Sequence, residues 1–487
     1  MKSIWKRLLA ITCALILLFG CVAVYGFAED EEAETAPVYT QLKFNDGKFK
    51  IIQIADLQEA WITSSLTKEF LVDLAEKENP DLFVLTGDNI ADGAANLGLQ
   101  GLSRPIVNAS IDAFMDVFDE IGVPVTAVFG NHDSESTGVS RFAQLQRYED
   151  HSSFVKFPHT KADNNTTGTH YGTHNLTIKD SAGETDAYVL WLFDSGAYAI
   201  DTGYDCVQTP QINWFNTQRA ALGNLPSIAF QHIVPIEVFD YLEEVTVVDG
   251  EPAPAGTISK NILKAEYNTV VSYTTEKDHI IRQPVFDESG EKVPVMVEAK
   301  DDEGNIIYNE DGTVKMIKKT DSSLTGQDKT VYQYTDGYVG TTKYYKLPAD
   351  TVGVMNEAPC PGWYNYGQFT ALKNAGVSAL FFGHDHVNTY ELKTSGGPDL
   401  VNSPATGFGS YGDENRGYRV IELDESDLTT YDTHVVTYKK FYEEQGGLLG
   451  SINGLRFSMF NSLGTAATIF DYLVFKGLVW IIRALGI

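Results

Sequence analysis

Val125–Ser134, V-T-A-V-F-G-N-H-D-S, is the stretch that decides the fold. An apolar run rich in β-branched residues ends at Gly130, and three polar residues follow at once: Asn131, His132 and Asp133. This pattern is typical of a buried strand that delivers polar groups at its carboxyl end. An asparagine oxygen can bind a metal, a histidine can move a proton, and an aspartate can orient that histidine. The stretch therefore predicts a chemically active strand end.

Two earlier strands lead to this one through helical patterns. The apolar runs Phe49–Ala55 and Asp81–Thr86 predict strands, and Leu66–Glu78 and Ile106–Ile121 carry apolar residues at helical spacing. Strands and helices that alternate in this way predict a parallel sheet with right-handed crossovers. Such sheets bind ligands at the carboxyl ends of their strands.

Further elements complete the predicted core. Helices are predicted at Pro210–Leu222 and Gln368–Ala375. The remaining predicted strands are Thr169–Lys179, Tyr188–Asp194, Ser227–His232, Val377–Phe382, Tyr418–Leu423 and Thr433–Lys439.

The polar residues at the strand ends form one set of candidate metal ligands and proton carriers. They are Asp56, Gln58, Asp88, Asn131, His132, His232, His384 and His386. Oxygen donors and imidazoles without a thiolate suit Mn, Fe or Zn. Two cations about 3.5–4 Å apart need a bridging carboxylate and separate ligands for each. Because alternate residues of a strand share a face, His384 and His386 are predicted to point into one cavity.

Five motifs in fixed order carry a family resemblance. The series I-A-D-L-Q, L-T-G-D-N, F-G-N-H-D, F-Q-H-I and F-G-H-D-H resembles the calcineurin-like metallophosphoesterases, within them the purple-acid-phosphatase-like branch. The resemblance covers Lys48–Val234 and Asn356–Leu423. It implies an α/β sandwich of two mixed β-sheets flanked by helices. It also implies hydrolysis of a small phosphate ester by metal-activated hydroxide, with monoester or diester left open.

The resemblance also implies a role for each residue. One metal would be held by Asp56, Gln58, Asp88 and His386. The other would be held by Asp88, Asn131, His232 and His384, with Asp88 bridging. His132 would be an outer-sphere acid or transition-state contact, steadied by Asp133.

Two positions depart from the family pattern. Many members have histidine where this chain has Gln58, and a neutral amide oxygen implies weaker binding or a different metal. The purple enzymes have a tyrosine ligand where this chain has Ala91, so a tyrosinate–iron colour is not expected. A surface binding or adaptor protein with a weakened metal site is therefore the alternative to an enzyme.

Composition and the chain ends suggest the domain plan. Of the 487 residues, 43% are hydrophobic, which permits a large core. The formal charge of −30 means that the chain lacks the basic surface of a nucleic-acid binder. Residues 1–28 resemble a signal peptide, with a retained membrane anchor or lipidation at Cys21 as alternatives, and the protein is expected to be exported. A linker at 29–40 and a metallophosphoesterase domain at 41–440 follow, with a β-rich insertion at 245–352. Cys206 and Cys360 either pair or remain separate thiols.

The apolar tail, residues 441–487, has two open interpretations. Lys476 and Arg483 are seven residues apart and so share one face of a predicted helix. The helix either lies in a membrane interface with both cations toward the head groups, or docks on the protein's own core.

Overall fold

In a computed structural model of the protein, the core is a sandwich of two β-sheets. The structure describes residues 41–60, 64–91, 100–135, 139–157, 171–199, 203–245, 247–248, 258–259, 270–273, 283–285, 287, 292–301, 304–309, 311–320, 330–335, 343–362 and 364–485. The predicted leader and linker lie outside these residues.

A five-stranded sheet holds the motif that opened the sequence. Its spatial order is β21, β20, β2, β3 and β4. The three strands β2, β3 and β4 are parallel, whereas β20 and β21 are antiparallel additions. Their bounds are β2 Lys48–Ile54, β3 Leu82–Thr86, β4 Val125–Val128, β20 Gly417–Asp424 and β21 Asp427–Thr437.

A seven-stranded mixed sheet faces it. Its spatial order is β1, β5, β6, β7, β17, β19 and β18, with β5 antiparallel to β6 and β7 parallel to β17. Their bounds are β1 Leu42–Lys43, β5 His174–Lys179, β6 Asp186–Leu192, β7 Ser227–Phe230, β17 Ala379–Phe382, β18 Glu391–Leu392 and β19 Asp399–Asn402. Apolar side chains of both sheets, such as Val128 and Phe381, share one buried layer.

Helices cover the outer faces of both sheets. The first, α1, begins after Ser64, whose Oγ accepts a hydrogen bond from the Thr67 amide at 3.3 Å, and ends at the left-handed Asn79 before Pro80. These are the cap chemistries that the sequence offers at those points. The helices are α1 Ser65–Glu78, α2 Gln100–Ile121, α3 Arg141–Glu149, α4 Thr209–Ala221, α5 Val238–Tyr241, α6 Gln368–Ala375, α7 Tyr438–Gln445, α8 Gly447–Leu463 and α9 Ala467–Leu485. The predicted sandwich of two mixed sheets flanked by helices is confirmed.

Short strands occupy the region between the α5 helix and the α6 helix. In the described parts of this region β16 pairs with both β8 and β11, and β13 pairs with β14. The strands are β8 Glu243–Val245, β9 Val247–Val248, β10 Ile258–Ser259, β11 Val270–Tyr273, β12 Gln283–Pro284, β13 Met296–Glu298, β14 Met316–Lys318, β15 Tyr334–Thr335 and β16 Lys343–Lys346.

The C-terminal helix α9 docks on the domain along one face. Asp471 is fully buried and pairs with Arg456 of α8 at 2.7 Å. Arg483 pairs with Asp73 of α1, also at 2.7 Å. Of the two open interpretations of the tail, the Arg483–Asp73 ion pair favours docking on the protein's own core for this side of α9. The opposite side of α9 remains apolar and exposed, for example at Leu473 and Trp480.

Candidate metal centre

The candidate ligands sit on tight turns immediately after the strands. Asp56, Gln58, Asp88 and His384 all have positive φ, between 43° and 73°. This region is unfavourable for side chains other than glycine, and such strain is typical of functional sites. Strand β17 ends at Phe382, so the expectation that strand alternation would align His384 with His386 is wrong. The turn brings both histidines to the site instead.

Glycines let the ligand carboxylates approach the neighbouring backbone. A Cβ added at Gly130 would lie 2.1 Å from Asp88 Oδ1, and one at Gly383 would lie 2.5 Å from Asp56 Oδ2. Any larger residue at either position would push a carboxylate out of the site. The glycines of F-G-N-H-D and F-G-H-D-H are therefore required by close packing.

Four ligand atoms converge around His232. Its Nε2 lies 3.2 Å from Asp88 Oδ2, 3.2 Å from Asn131 Oδ1 and 3.2 Å from His384 Nδ1. Two ligand atoms about 2.1 Å from a shared cation are about 3.0 Å apart in octahedral and about 3.4 Å apart in tetrahedral geometry. The spacing therefore fits one metal ion. His232 Nδ1 donates to the Thr86 carbonyl at 2.9 Å, which leaves Nε2 for the site.

A second group forms around Asp56. Its Oδ1 lies 3.4 Å from His386 Nε2, and its Oδ2 accepts a hydrogen bond from the His384 amide at 3.1 Å. His386 Nδ1 donates to the Tyr411 carbonyl at 2.9 Å, so Nε2 again faces inward. Asp88 belongs to both groups. Ligand atoms of Asp88, His232 and His384 lie within 4.8 Å of one another, and so do ligand atoms of Asp56, Asp88 and His386.

Unsatisfied polar atoms point to a cation site. Three buried ligand oxygens of the cluster have no hydrogen-bond partner: Asp56 Oδ1, Gln58 Oε1 and Asp88 Oδ2. Leaving one buried polar atom unpaired costs about 1–3 kcal/mol, so three at one place need an explanation. A pair of metal ions would satisfy them, and the donor set of oxygens and imidazoles fits that pair.

Electrostatics favour an ionised Asp88 and a neutral His384, but not a neutral His232. Burial lowers the pKa of His232, but the facing carboxylate of Asp88 outweighs burial and raises this pKa to about 9, so a metal that binds His232 must displace its proton. Burial opposes ionisation of Asp88, yet His232 and its neighbours hold the pKa of Asp88 well below its ordinary value. Burial and the charge of His232 lower the pKa of His384. Asp88 is therefore ionised and His384 neutral, as metal ligands must be.

His132 stands beside the cluster and is oriented differently from the prediction. Its Nε2 lies 3.8 Å from Asp88 Oδ2, and its Nδ1 lies 3.0 Å from Glu135 Oε1. Asp133, expected to steady this histidine, instead accepts backbone hydrogen bonds from Asn89 at 3.0 Å and from Gly130 at 2.8 Å. Asp133 therefore braces the loop backbone, and the side chain that approaches the His132 ring is Glu135.

Several residues near the site were missed in the sequence. Glu135 is three positions after His132, on the same side of the short 3-10 turn His132–Ser134, and this spacing was the available signal. Tyr198 donates to Glu135 and lies 3.1 Å from Asn131 Nδ2. Tyr411 stacks on the imidazole of His386, which no sequence pattern indicates.

Asp194 and the cysteines take no direct part in the cluster. Asp194 is buried and forms an ion pair with Arg141, whose guanidinium also donates to the Gly130 carbonyl. The Arg141–Asp194 pair therefore stabilises the loop that begins at Gly130. Cys206 and Cys360 are both free thiols in this structure.

Comparison with known proteins identifies the domain. The family description of calcineurin-like phosphoesterases matches residues 49–249. Over these residues the chain is similar to the calcineurin-like phosphoesterases. The resemblance read from the five motifs is thereby confirmed.

The chain spans about half the length of the curated relatives that it matches. It is 29% identical over 229 residues to Probable inactive purple acid phosphatase 28 of Arabidopsis thaliana, covering 40% of this chain and 55% of that protein. It is 26% identical over 273 residues to Phosphatase DCR2 of Saccharomyces cerevisiae, covering 50% of this chain and 44% of that protein. A dimetal phosphatase from Danio rerio aligns at a TM-score of 0.39 with 12% identity, covering 80% of this chain and 99% of that one.

Proposed function

We propose that this chain hydrolyses phosphate esters at a two-metal centre. The observation that carries the proposal is the carboxylate of Asp88, which belongs to both ligand groups and whose buried Oδ2 has no hydrogen-bond partner. A carboxylate in that position is what two cations need as a bridge. One metal would be held by Asp56, Gln58, Asp88 and His386. The other would be held by Asp88, Asn131, His232 and His384.

The residues have distinct tasks in this reaction. The metals would supply an activated water and neutralise phosphoryl oxygens. His132, with Nε2 directed to the Asp88 side of the cluster, would donate a proton to the leaving oxygen or contact the phosphoryl group. Glu135 would hold the other ring nitrogen of His132, and Asp133 would keep the loop in place.

A binding or adaptor protein with a weakened metal site is the second candidate. Gln58 supplies a neutral oxygen where many family members have histidine, which favours this alternative. Three of the similar Arabidopsis thaliana proteins also carry the word inactive in their names. Metal stoichiometry distinguishes the candidates, because an active centre needs two bound ions and a weakened one holds fewer.

The protein is proposed to act outside the cytoplasm and to contact a membrane surface. The support for contact is the outer side of α9, where Leu473 is 80% exposed, Ile469 74% and Trp480 71%. Asp471, the acidic residue of α9, is buried in its ion pair, whereas Lys476 is exposed. An apolar helix face with a cation and no exposed acid suits a lipid interface. By length and composition the segment Gly447–Ala484 is also apolar enough to span a bilayer.

The experiment is metal analysis followed by turnover. The purified full chain is stripped with a chelator, reloaded with Mn, Fe or Zn, and tested on aryl phosphate monoesters and diesters. Two ions per chain and metal-dependent hydrolysis of either ester class support the enzyme. Fewer than two ions and no hydrolysis with any of the three metals reject it and leave the binding protein.

A further inference from the structure

An exposed tyrosine ring adjoins the Asp56 group of the centre. The ring of Tyr411 stacks on the imidazole of His386, with centroids 4.2 Å apart and planes 13° apart. Its hydroxyl donates to Glu357 Oε2 at 2.7 Å, and Glu357 Oε1 accepts from the Val387 amide at 3.1 Å. The ring is therefore fixed at both ends, although its side chain remains 57% exposed.

A second tyrosine pair adjoins the other ligand group. Tyr204 meets His384 edge to face at 4.3 Å, and Tyr198 stacks on Tyr204 at 5.7 Å. Tyr198 is anchored through its hydroxyl to Glu135, as Tyr411 is to Glu357. Tyrosine rings and glutamate carboxylates thus flank both sides of the cluster.

The nearby arginines are turned into the protein. Arg141 donates to the Gly130 and Gly196 carbonyls and pairs with the buried Asp194. Arg416 is buried and donates to the Gly407 and Ser410 carbonyls. Neither guanidinium is free to bind a second phosphate or another anionic group of a substrate.

We infer that the organic part of the substrate is a planar, uncharged aromatic group that lies on the exposed ring of Tyr411. This inference rests on the proposed phosphoesterase function and specifies its substrate class. On this inference the phosphoryl group binds at the metal ligands with its attached group directed toward His386, on whose imidazole the Tyr411 ring is stacked. A preorganised ring costs little entropy on binding, and aromatic contacts favour flat partners. The glutamates at the rim disfavour anionic leaving groups by charge repulsion.

Binding of two small phosphonates tests the inference directly. Titration calorimetry on the Mn²⁺-loaded full chain compares phenylphosphonate with methylphosphonate. An aromatic contact predicts that phenylphosphonate binds roughly two- to tenfold more tightly. Tyr411→Leu should remove this preference, whereas Tyr411→Phe, which keeps the ring, should retain most of it. Tyr308→Leu is the matched control, because Tyr308 is 59% exposed on the insertion, away from the site.

Turnover gives the second measurement. Phenyl phosphate and hexafluoroisopropyl phosphate have leaving groups of similar pKa, but only the phenyl group is aromatic. The ratio of kcat/KM for the first ester to kcat/KM for the second therefore reports stacking. The ratio should favour phenyl phosphate in the wild type and fall in Tyr411→Leu. Equal affinity for the two phosphonates, or a preference that survives Tyr411→Leu, overturns the inference. If no ester is hydrolysed, the proposed function fails, while the phosphonate titration still decides the aromatic preference.

Discussion

Asp88 holds His132 from two directions. Its Oδ1 accepts a hydrogen bond from the His132 amide at 2.8 Å, while its Oδ2 lies 3.8 Å from the His132 ring Nε2. One carboxylate therefore links the backbone of the loop that carries His132 to the centre of the ligand cluster. Predictions for the two residues separate metal binding from proton transfer.

Asp88→Asn should lower metal content and abolish hydrolysis. The amide keeps an oxygen for the His132 amide but loses the charge that two cations share. The measurement is elemental analysis of the purified variant together with turnover of an aryl phosphate. Lys476→Asn, an exposed change on α9, is the control for purification losses. Two metals per chain with near-normal turnover would show that Asp88 is not the bridge.

His132→Ala should keep both metals and lose roughly 10²–10⁴-fold in kcat, the range for a positioned acid or base. The loss should be smaller for esters with acidic phenol leaving groups, which need less protonation. Rates across a series of substituted phenyl phosphates test this dependence. A collapse of metal content in the variant would make His132 a ligand instead.

Gln58→His should tighten binding of one metal. Gln58 Oε1 is buried without a hydrogen-bond partner, and imidazole is a stronger ligand than a neutral amide for Fe or Zn. Competition with a chromogenic chelator measures the two dissociation steps separately. Only the weaker step should change, and identical curves for variant and wild type would place Gln58 outside the coordination sphere.

Asp471→Asn should destabilise the fold by about 3 kcal/mol, because removal of one partner strands a buried charge. Arg456 and Asp471 are both fully buried and joined at 2.7 and 2.8 Å, and Arg456 also pairs with Glu69. The remaining pair with Glu69 keeps the loss near the lower end of the range. Urea unfolding gives the free energy. A loss no larger than that of the exposed Lys476→Ala change would contradict this role.

The double change Leu473→Gln with Trp480→Gln should abolish vesicle binding without lowering the unfolding midpoint. Both side chains are on the exposed side of α9, so the docked face remains intact. Co-flotation with vesicles that contain anionic lipid measures binding. Val352→Gln, an exposed change on another surface, is the control. Binding that persists in the double variant would reject membrane contact through α9.

Local patterns were sufficient for the central sheet. The apolar runs at Phe49–Ala55 and Val125 and the helical spacing of Leu66–Glu78 predicted these elements almost as observed, because burial on one face is a local signal. The predicted strand Thr433–Lys439 extends beyond the observed strand, which ends at Thr437. Thr437 caps the helix α7, which begins at the next residue. No helix was predicted for residues 438–463, where the structure has α7 and α8.

The set of converging side chains was predictable, but their exact contacts were not. Strand ends indicated that Asp56, Asp88 and His232 meet, since parallel strands share an edge. Glu135, rather than the predicted Asp133, approaches the His132 ring. This contact depends on the tight turn at His132–Ser134, which directs the Glu135 carboxylate inward. The stacking of the Tyr411 ring on His386 depends on the loop that brings Tyr411 back to the site from 25 positions further along the chain.

The centre joins parts of the chain that are synthesised far apart in time. Asp56 and His384 are 328 positions apart, and strand β2 pairs with β20 near the other end of the domain. A nascent chain that has exposed only its first three motifs has no complete coordination shell. Non-local closure of this kind is slow, and metal uptake must follow it. The place where the last strands fold, rather than the place of synthesis, therefore selects the ions that the protein acquires.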